Sequence, residues 1–283
     1  MQLIDGKLLS KKVQDYVQSE VEVLKKEKGI VPGLAVIVVG DDPASHAYIN
    51  MKEKACKNVG FYSIAHKMPN TISQEEIMEI ITMMNNNPHI HGILVQLPLP
   101  KHIDTDKILE IIDPKKDVDG FHAYNVGRMM TNLDSFVACT PLGVMKMFEE
   151  YNINLEGKDV VVVGASNIVG KPMAALLLNK NATVTVTHIY TKDLASHTLK
   201  ADIVIVGVGV PSLIKENMIK EGAIVIDIGI NRLENGSLVG DVDFENVAPK
   251  CSYITPVPGG VGPMTIAMLL ENTLKSAQMH KGN

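Results

Sequence analysis

Short, nearly uninterrupted apolar runs recur along this chain, and each leads into a stretch with helical spacing. In the first half they are GLAVIVVG (33–40), FYSIAHKM (61–68) and HGILVQLPLP (91–100). In the second half they are DVVVVG (159–164), TVTVTH (183–188), ADIVIVGVG (201–209) and GAIVIDIGI (222–230). Runs this apolar imply strands buried by helices on both faces and paired in parallel. Between them lie the helical patterns PASHAYINMKEKACKNVG (43–60), opened by a proline, SQEEIMEIITMMNNNP (73–88) and DTDKILEIID (104–113), headed by an aspartate cap. GKPMAALLLNKNA (170–182) continues the rhythm in the second half.

The 283 residues exceed one compact core and suit two lobes, at roughly 150 residues per domain. The weakly periodic FHAYNVGRMMTNLDSFVACTP (121–141) is the expected joint, ahead of a helix in LGVMKMFEEYN (142–152). The apolar helix PMTIAMLLENTLKSAQM (263–279) is expected to pack back on the first lobe. The architecture is therefore α/β, with two doubly wound lobes. Residues 1–138 plus 264–283 form the first domain and 139–263 a Rossmann-like dinucleotide-binding domain.

A net charge of −5, with lysines interleaved among acids as in KKVQDYVQSEVEVLKKEKG (11–29), gives no basic stripe for nucleic acid. Cys56, Cys139 and Cys251 have neither disulfide-framework nor metal-ligand spacing, so no metal is expected and the compartment is a reducing one. The N-terminus lacks a signal peptide's apolar core, and no run approaches the roughly 18 apolar residues of a membrane span. A cytoplasmic protein is expected.

VVVVGASNIVGKP places a glycine-bearing turn between a buried strand and a helix. Gly164 ends the strand, Ser166 stands where the usual fingerprint has its second glycine, and Gly170 opens the helix. Small residues let the backbone approach a pyrophosphate, whose charge the helix N-terminus stabilises; the alternative is a tight turn without a ligand. After the next strand, THIYTKD (187–193) has no carboxylate before Asp193, and His188 and Lys192 lie nearby. An acid there would select NAD through the adenine ribose and repel a 2′-phosphate, so its absence tilts the cofactor to NADP over NAD. VGVGVP (206–211) and DIGIN (227–231) add two glycine-containing strand ends, where Gly207, Gly209, Gly229 and Ile230 either line a nicotinamide pocket or serve packing alone.

In the first lobe Tyr48 and Lys52 stand four apart on one helical face. Apolar residues at 44, 47, 51, 55 and 59 form the expected packed stripe; Lys52 borders it on one side and Lys54 on the other, so periodicity leaves a solvated face open. Gln96 closes an apolar strand before a proline-restricted turn, and a buried polar group there needs partners. Asp117 and Asp119 share a turn ended by Gly120. In a doubly wound lobe these segments converge, and a lysine kept neutral there by desolvation can serve as acid or base. YITPVPGGVGPMT (253–265) forms a stiff loop, either a connector or a backbone grip across the cleft between lobes.

Taken together, VGDDPASHAYINMKEKAC, GILVQLPLP, PKKDVDGFH, TPLGV, VVVGASNIVGKPMAALL, ADIVIVGVG, IDIGIN, GDVDF and TPVPGGVGPMTIAMLLENT resemble, in order and over nearly the whole chain, the bifunctional methylenetetrahydrofolate dehydrogenase/cyclohydrolase family. The resemblance implies hydride transfer from 5,10-methylenetetrahydrofolate to NADP, then hydrolysis of the methenyl cation to 10-formyltetrahydrofolate. It makes Lys52 the cyclohydrolase acid/base, Tyr48 the folate's stacking or orienting partner, Gln96 the residue that bonds Lys52 and helps keep it neutral, and Asp119 the acceptor for the pterin's amino group and ring N–H. It adds Leu97, Pro258, Gly259 and Gly262 to the folate site, and Ala165, Ile168, His188 and Ile189 to the cofactor site beside Gly164 and Ser166. Some members carry arginine at the position of Ala165, or a polar or basic residue at that of Ile189, beside the 2′-phosphate. Family members are homodimers, which carries over as an expectation. Two readings compete: another two-lobe dehydrogenase, of shikimate or amino-acid type, and a nucleotide-sensing module without turnover. NADP reduction with methylenetetrahydrofolate, but not with hydroxy acids, separates them.

Overall fold

The computed structural model describes residues 1–41 and 43–280, with the side chains of 43–47 outside the description. In chain order the elements are β1 (Gln2–Leu3), α1 (Gly6–Lys28), β2 (Gly33–Val39), α2 (Pro43–Asn58), β3 (Tyr62–Met68), α3 (Gln74–Asn86), β4 (Gly92–Val95), α4 (Thr105–Glu110) and α5 (Ala123–Met130). They continue as α6 (Cys139–Glu150), β5 (Asp159–Val163), α7 (Gly170–Leu178), β6 (Thr183–Thr187), α8 (Leu194–Thr198), β7 (Ile203–Val206), β8 (Ile224–Asp227), β9 (Asn231–Arg232), β10 (Leu238–Val239), α9 (Phe244–Val247), β11 (Tyr253–Ile254) and α10 (Val261–Met279).

These form two compact units. One gathers Lys11–Arg128, Asp134–Cys139 and the chain from Ile266 onward; the other gathers Met1–Ser10, Met129–Leu133 and Thr140–Thr265. The first holds a three-stranded parallel sheet in the order β3-β2-β4. Ala35 and Ile37 of β2 and Ile93 and Val95 of β4 pack with Ile77, Ile81 and Ile108 from α3 and α4 in one core. Helix α3 starts where the Ser73 hydroxyl accepts the Glu76 N–H while Glu76 reaches back to the Ser73 N–H, and α4 starts on Asp104, which accepts the Lys107 N–H. From α10, Asn272 Nδ2 donates to the carbonyls of Val118 (2.8 Å) and Val137 (3.1 Å), and Ser276 Oγ to that of Lys115 (2.8 Å). The last helix thus returns to the first lobe, as its apolar sequence predicts.

The second unit holds a six-stranded parallel sheet, β1-β11-β8-β7-β5-β6. Its core joins Val161 and Val163, Val204 and Val206, Val225 and Ile254 with Ile214, Ile219 and Val247. Three local features depart from the sequence reading. Tyr253–Ile254 is a strand, pairing with β8 on one side and with Gln2–Leu3 on the other. The joint contains a helix, α5. Helices α6 and α10 begin two or three residues earlier than expected, with Pro141 and Pro263 inside their first turns. Proline is tolerated there because those N–H groups have no helical partner in any case.

Candidate active site

In the first unit, α2 carries the chain from the carboxyl end of β2 toward β3, while the chain after β4 returns beside the other edge of β4 at the Ile93–Asp117 bridge. Neighbouring connections therefore part at the carboxyl ends of β2 and β4, where such sheets place ligands. The buried face of α2 carries Ile49, Lys52, Cys56 and Val59, while Met51 and Lys54 are exposed. The stripe is therefore rotated from the expected one: position 51 faces out, 55 and 59 face in, and Ala44 and Ala47 lie outside the described side chains. Lys52, only 8% exposed, is the lysine that turns inward.

Lys52 Nζ donates to Gln96 Oε1 at 3.1 Å. Gln96 is itself fixed: its N–H donates to Ile37 O at 2.8 Å, carrying the β2–β4 pairing one residue past β4, and its Nε2 donates to Leu97 O at 2.9 Å. Burial raises the Tyr48 phenol above its ordinary range, and pushes the Cys56 thiol up to about 12 with help from Glu53. Burial also raises the Asp119 carboxyl; the charge of Lys52 opposes that rise and the charge of Asp117 adds to it.

The two aspartates of the 117–119 turn have separate duties. Asp117 is buried, accepting the N–H groups of Phe121 (3.1 Å) and His122 (2.9 Å) and Nδ2 of Asn125 (2.8 Å), so its carboxylate is spent on holding the turn. Gly120, at φ +73°, completes it; a Cβ there would lie 2.4 Å from the Val137 carbonyl carbon. Asp119 is half-buried, and its carboxyl is hydrogen-bonded with the Cys139 side chain.

In the second unit β5 lies between β6 and β7, a second divergence point. Gly164, at φ +117°, donates its N–H to Thr187 O at 2.9 Å, and a Cβ on Gly170 would lie 2.0 Å from Gly164 O. Ser166 Oγ accepts the N–H groups of Val169 (3.1 Å) and Gly170 (3.4 Å) at the head of α7. Ala165 is half-buried and Ile168 exposed along this turn. A backbone cradle opening on a helix N-terminus suits a pyrophosphate. At the end of β6, the His188 N–H donates to Thr191 Oγ1 at 3.0 Å, and Ile189 is 92% exposed. Asp193, the first carboxylate, caps α8 by accepting the Ser196 N–H at 3.1 Å.

Gly207, Gly209, Gly229 and Ile230 follow β7 and β8 in the same unit. Gly229 faces a carboxylate: a Cβ there would lie 2.3 Å from Asp241 Cγ. Asp241 and the adjacent Asp227 are buried acids that the sequence reading assigned no role, although Asp241 stands in the quoted GDVDF. Gly262 approaches Ile230, with 3.2 Å between its would-be Cβ and Ile230 Cδ1. Gly259, at φ +107°, accepts the Lys7 N–H at 3.0 Å, which pins the Pro258–Gly259 turn. Cys56, Cys139 and Cys251 are buried free thiols. Among the described residues, no group of three or more His, Cys, Asp or Glu is placed to hold a metal ion, and no helix is long and apolar enough to cross a membrane.

Residues 4–119 match the family model described as tetrahydrofolate dehydrogenase/cyclohydrolase, catalytic domain, and residues 138–281 match tetrahydrofolate dehydrogenase/cyclohydrolase, NAD(P)-binding domain. The chain is 81% identical over 278 residues to the bifunctional protein FolD of Sulfurovum sp., spanning 98% of this chain and 99% of that one. It is similar to the crystal structure of the bifunctional FolD methylenetetrahydrofolate dehydrogenase/cyclohydrolase from Campylobacter jejuni, at a TM-score of 0.97 and 57% identity over 98% of this chain and 99% of the other. The Trypanosoma brucei methylenetetrahydrofolate dehydrogenase-cyclohydrolase, solved with NADP cofactor and inhibitor, aligns at a TM-score of 0.94 and 39% identity over 98% and 97% of the two chains.

Proposed function

This chain belongs to the tetrahydrofolate dehydrogenase/cyclohydrolase family, and on that premise we propose which of its residues carry each of two reactions. The enzyme oxidises 5,10-methylenetetrahydrofolate to the 5,10-methenyl cation with NADP and hydrolyses that cation to 10-formyltetrahydrofolate.

NADP, when bound, supplies the hydride acceptor. The residues that would hold it are Gly164, Ala165, Ser166 and Ile168 at the pyrophosphate, His188 and Ile189 at the adenosine end, and Gly207, Gly209, Gly229 and Ile230 toward the nicotinamide. The head of α7 packed so closely on the Gly164 turn that Gly170 has no room for a Cβ, and the end of β6 where Asp193 is the first carboxylate, support this assignment. Hydride transfer needs no protein base, only reacting carbons held close.

Hydrolysis does need a proton carrier. Water adds to the methenyl carbon and loses a proton; the carbon–N5 bond then breaks as N5 gains a proton and the adduct's hydroxyl gives up its own, leaving the formyl carbonyl on N10 and one net proton released. Lys52 performs these transfers, and its buried bond to Gln96 is the observation that carries the reading. Gln96 holds the amine in place, Tyr48 orients the folate, and Asp119, a desolvated carboxylate, accepts the pterin N–H groups. Leu97, Pro258, Gly259 and Gly262 complete the folate contacts.

The domain boundaries near residues 138 and 264, a homodimer, a cytoplasmic setting and a supply of formyl groups for purine biosynthesis belong to the same reading. Lys52→Met tests its centre: methenyl hydrolysis disappears while NADP reduction by methylenetetrahydrofolate persists. Equal loss of both rates at unchanged folate affinity contradicts the assignment.

A further inference from the structure

Two buried acids stand behind the turns that follow β7 and β8, and neither touches the reaction. Asp227, 3% exposed at the end of β8, accepts three main-chain N–H groups: Gly229 (2.9 Å), Asp241 (3.0 Å) and Val242 (2.9 Å). Asp241, with no exposed surface, accepts the N–H groups of Val208 (2.6 Å) and Gly209 (2.9 Å) and Nδ2 of Asn231 (2.9 Å). The two are linked in series, because the Asp241 N–H donates to the carboxylate that also holds Gly229. The chain leaves room for both: a Cβ on Gly240 would lie 1.9 Å from Asp227 Oδ2, and one on Gly229 2.3 Å from Asp241 Cγ. A buried carboxylate with all its partners in place fixes them more firmly than neutral acceptors do.

We propose that Asp227 and Asp241 are positioning residues of the dehydrogenase, a carboxylate clamp that sets the 208–209 and 229–231 turns for the nicotinamide half of NADP. This rests on the reading of Gly207, Gly209, Gly229 and Ile230 as cofactor residues. The clamp explains why glycine occupies position 229: its missing Cβ makes space for Asp241, and its N–H serves Asp227. It also gives the GDVDF segment a task.

The two activities provide the test, since methenyl hydrolysis consumes no NADP. Asp241→Ala raises the KM for NADP at least tenfold and lowers dehydrogenase kcat, while cyclohydrolase turnover of the methenyl substrate stays within twofold of wild type. Asp241→Asn, which keeps one oxygen for the Val208 and Gly209 amides, restores most of the loss. An unchanged NADP KM in Asp241→Ala overturns the clamp. If Asp241→Ala fails to fold and loses both activities, Asn231→Ala decides, because it removes one arm and leaves the carboxylate: a threefold or larger rise in NADP KM supports the clamp and no change overturns it. Ile230→Glu probes the underlying pocket reading, placing a charge on an exposed side chain. Normal dehydrogenase kinetics in Ile230→Glu remove the pocket reading and the clamp with it; impaired kinetics there beside an unaffected Asp241→Ala remove the clamp alone.

Discussion

At the carboxyl end of β2 the groups on offer are side chains: the Lys52 amine, the Gln96 amide and the Asp119 carboxyl. At the carboxyl end of β5, in a sheet that diverges in the same way, they are main chain: the Gly164 bend, the head of α7 and the Ser166 hydroxyl that organises it. Parallel sheets create a crevice wherever neighbouring connections part, whatever the chemistry. On the proposed assignment, the first lobe fills its crevice with titratable groups because hydrolysis must move protons. The second keeps its crevice bare because a dinucleotide brings its own chemistry and asks for close approach. The first site is thus vulnerable to changes of functional group, and the second to added carbon.

Lys52→Met should show the largest effect, a fall in cyclohydrolase rate of about 10²- to 10⁴-fold, the range lost with a general acid–base group. Dehydrogenase turnover within a few-fold of wild type would keep the two lobes' duties separate, and parallel loss would merge them. Gly170→Ala changes no functional group and only adds a methyl 2.0 Å from a backbone oxygen. It should cost about 1–3 kcal/mol of stability in thermal melts, in the range for overpacking. It should also weaken NADP binding in a fluorescence titration while methenyl hydrolysis survives.

Asp227 sharpens the contrast, being, like Asp241, a buried titratable side chain in the lobe whose glycine turns offer main chain. Burial lifts its carboxyl from an ordinary 3.8 to about 6, with the Asp241 charge adding and three N–H groups opposing. The folded protein therefore holds this proton more tightly than the unfolded chain does. The stabilising contribution is complete below about pH 4 and lost as the pH rises through about 6. Urea unfolding of wild type against Asp227→Asn should show wild type gaining, on the order of 3 kcal/mol, as the pH falls across that window. A pH-independent difference contradicts it. Smallest is Ile189→Asp, on a side chain with almost no contacts: an acid beside the 2′-phosphate should shift the NADP-to-NAD preference about tenfold, roughly 1.4 kcal/mol, with the melting temperature unchanged. Unaltered selectivity would place the adenosine end elsewhere.

The central strands are legible in the sequence because both faces are buried, so β2, β4 and β7, and β5 after Asp159, carry no polar side chain. Gln2–Leu3 and Tyr253–Ile254 are not legible: two residues have no period, and only their register identifies them as strands. Helix α5 is obscured by polar residues such as Asn125, which turns inward to hold Asp117. At the site, spacing places Tyr48 and Lys52 on one face but cannot say which of Lys52 and Lys54 is buried; the Gln96 contact distinguishes them. The separate duties of Asp117 and Asp119 are invisible in sequence for the same reason, since both are aspartates in one turn. Asp227 and Asp241 are fourteen positions apart and meet only through the turns they bind.

The pairing of Gln2–Leu3 with Tyr253–Ile254, and the grouping of the chain from Ile266 with Lys11–Arg128, set the order of assembly. The strand Gln2–Leu3 has no such neighbour until Tyr253–Ile254 has been translated. The first lobe, whose three strands precede α10 by well over a hundred residues, lacks its Asn272 and Ser276 tethers until α10 has been translated. Each unit is therefore complete only when chain segments far apart in sequence are present together.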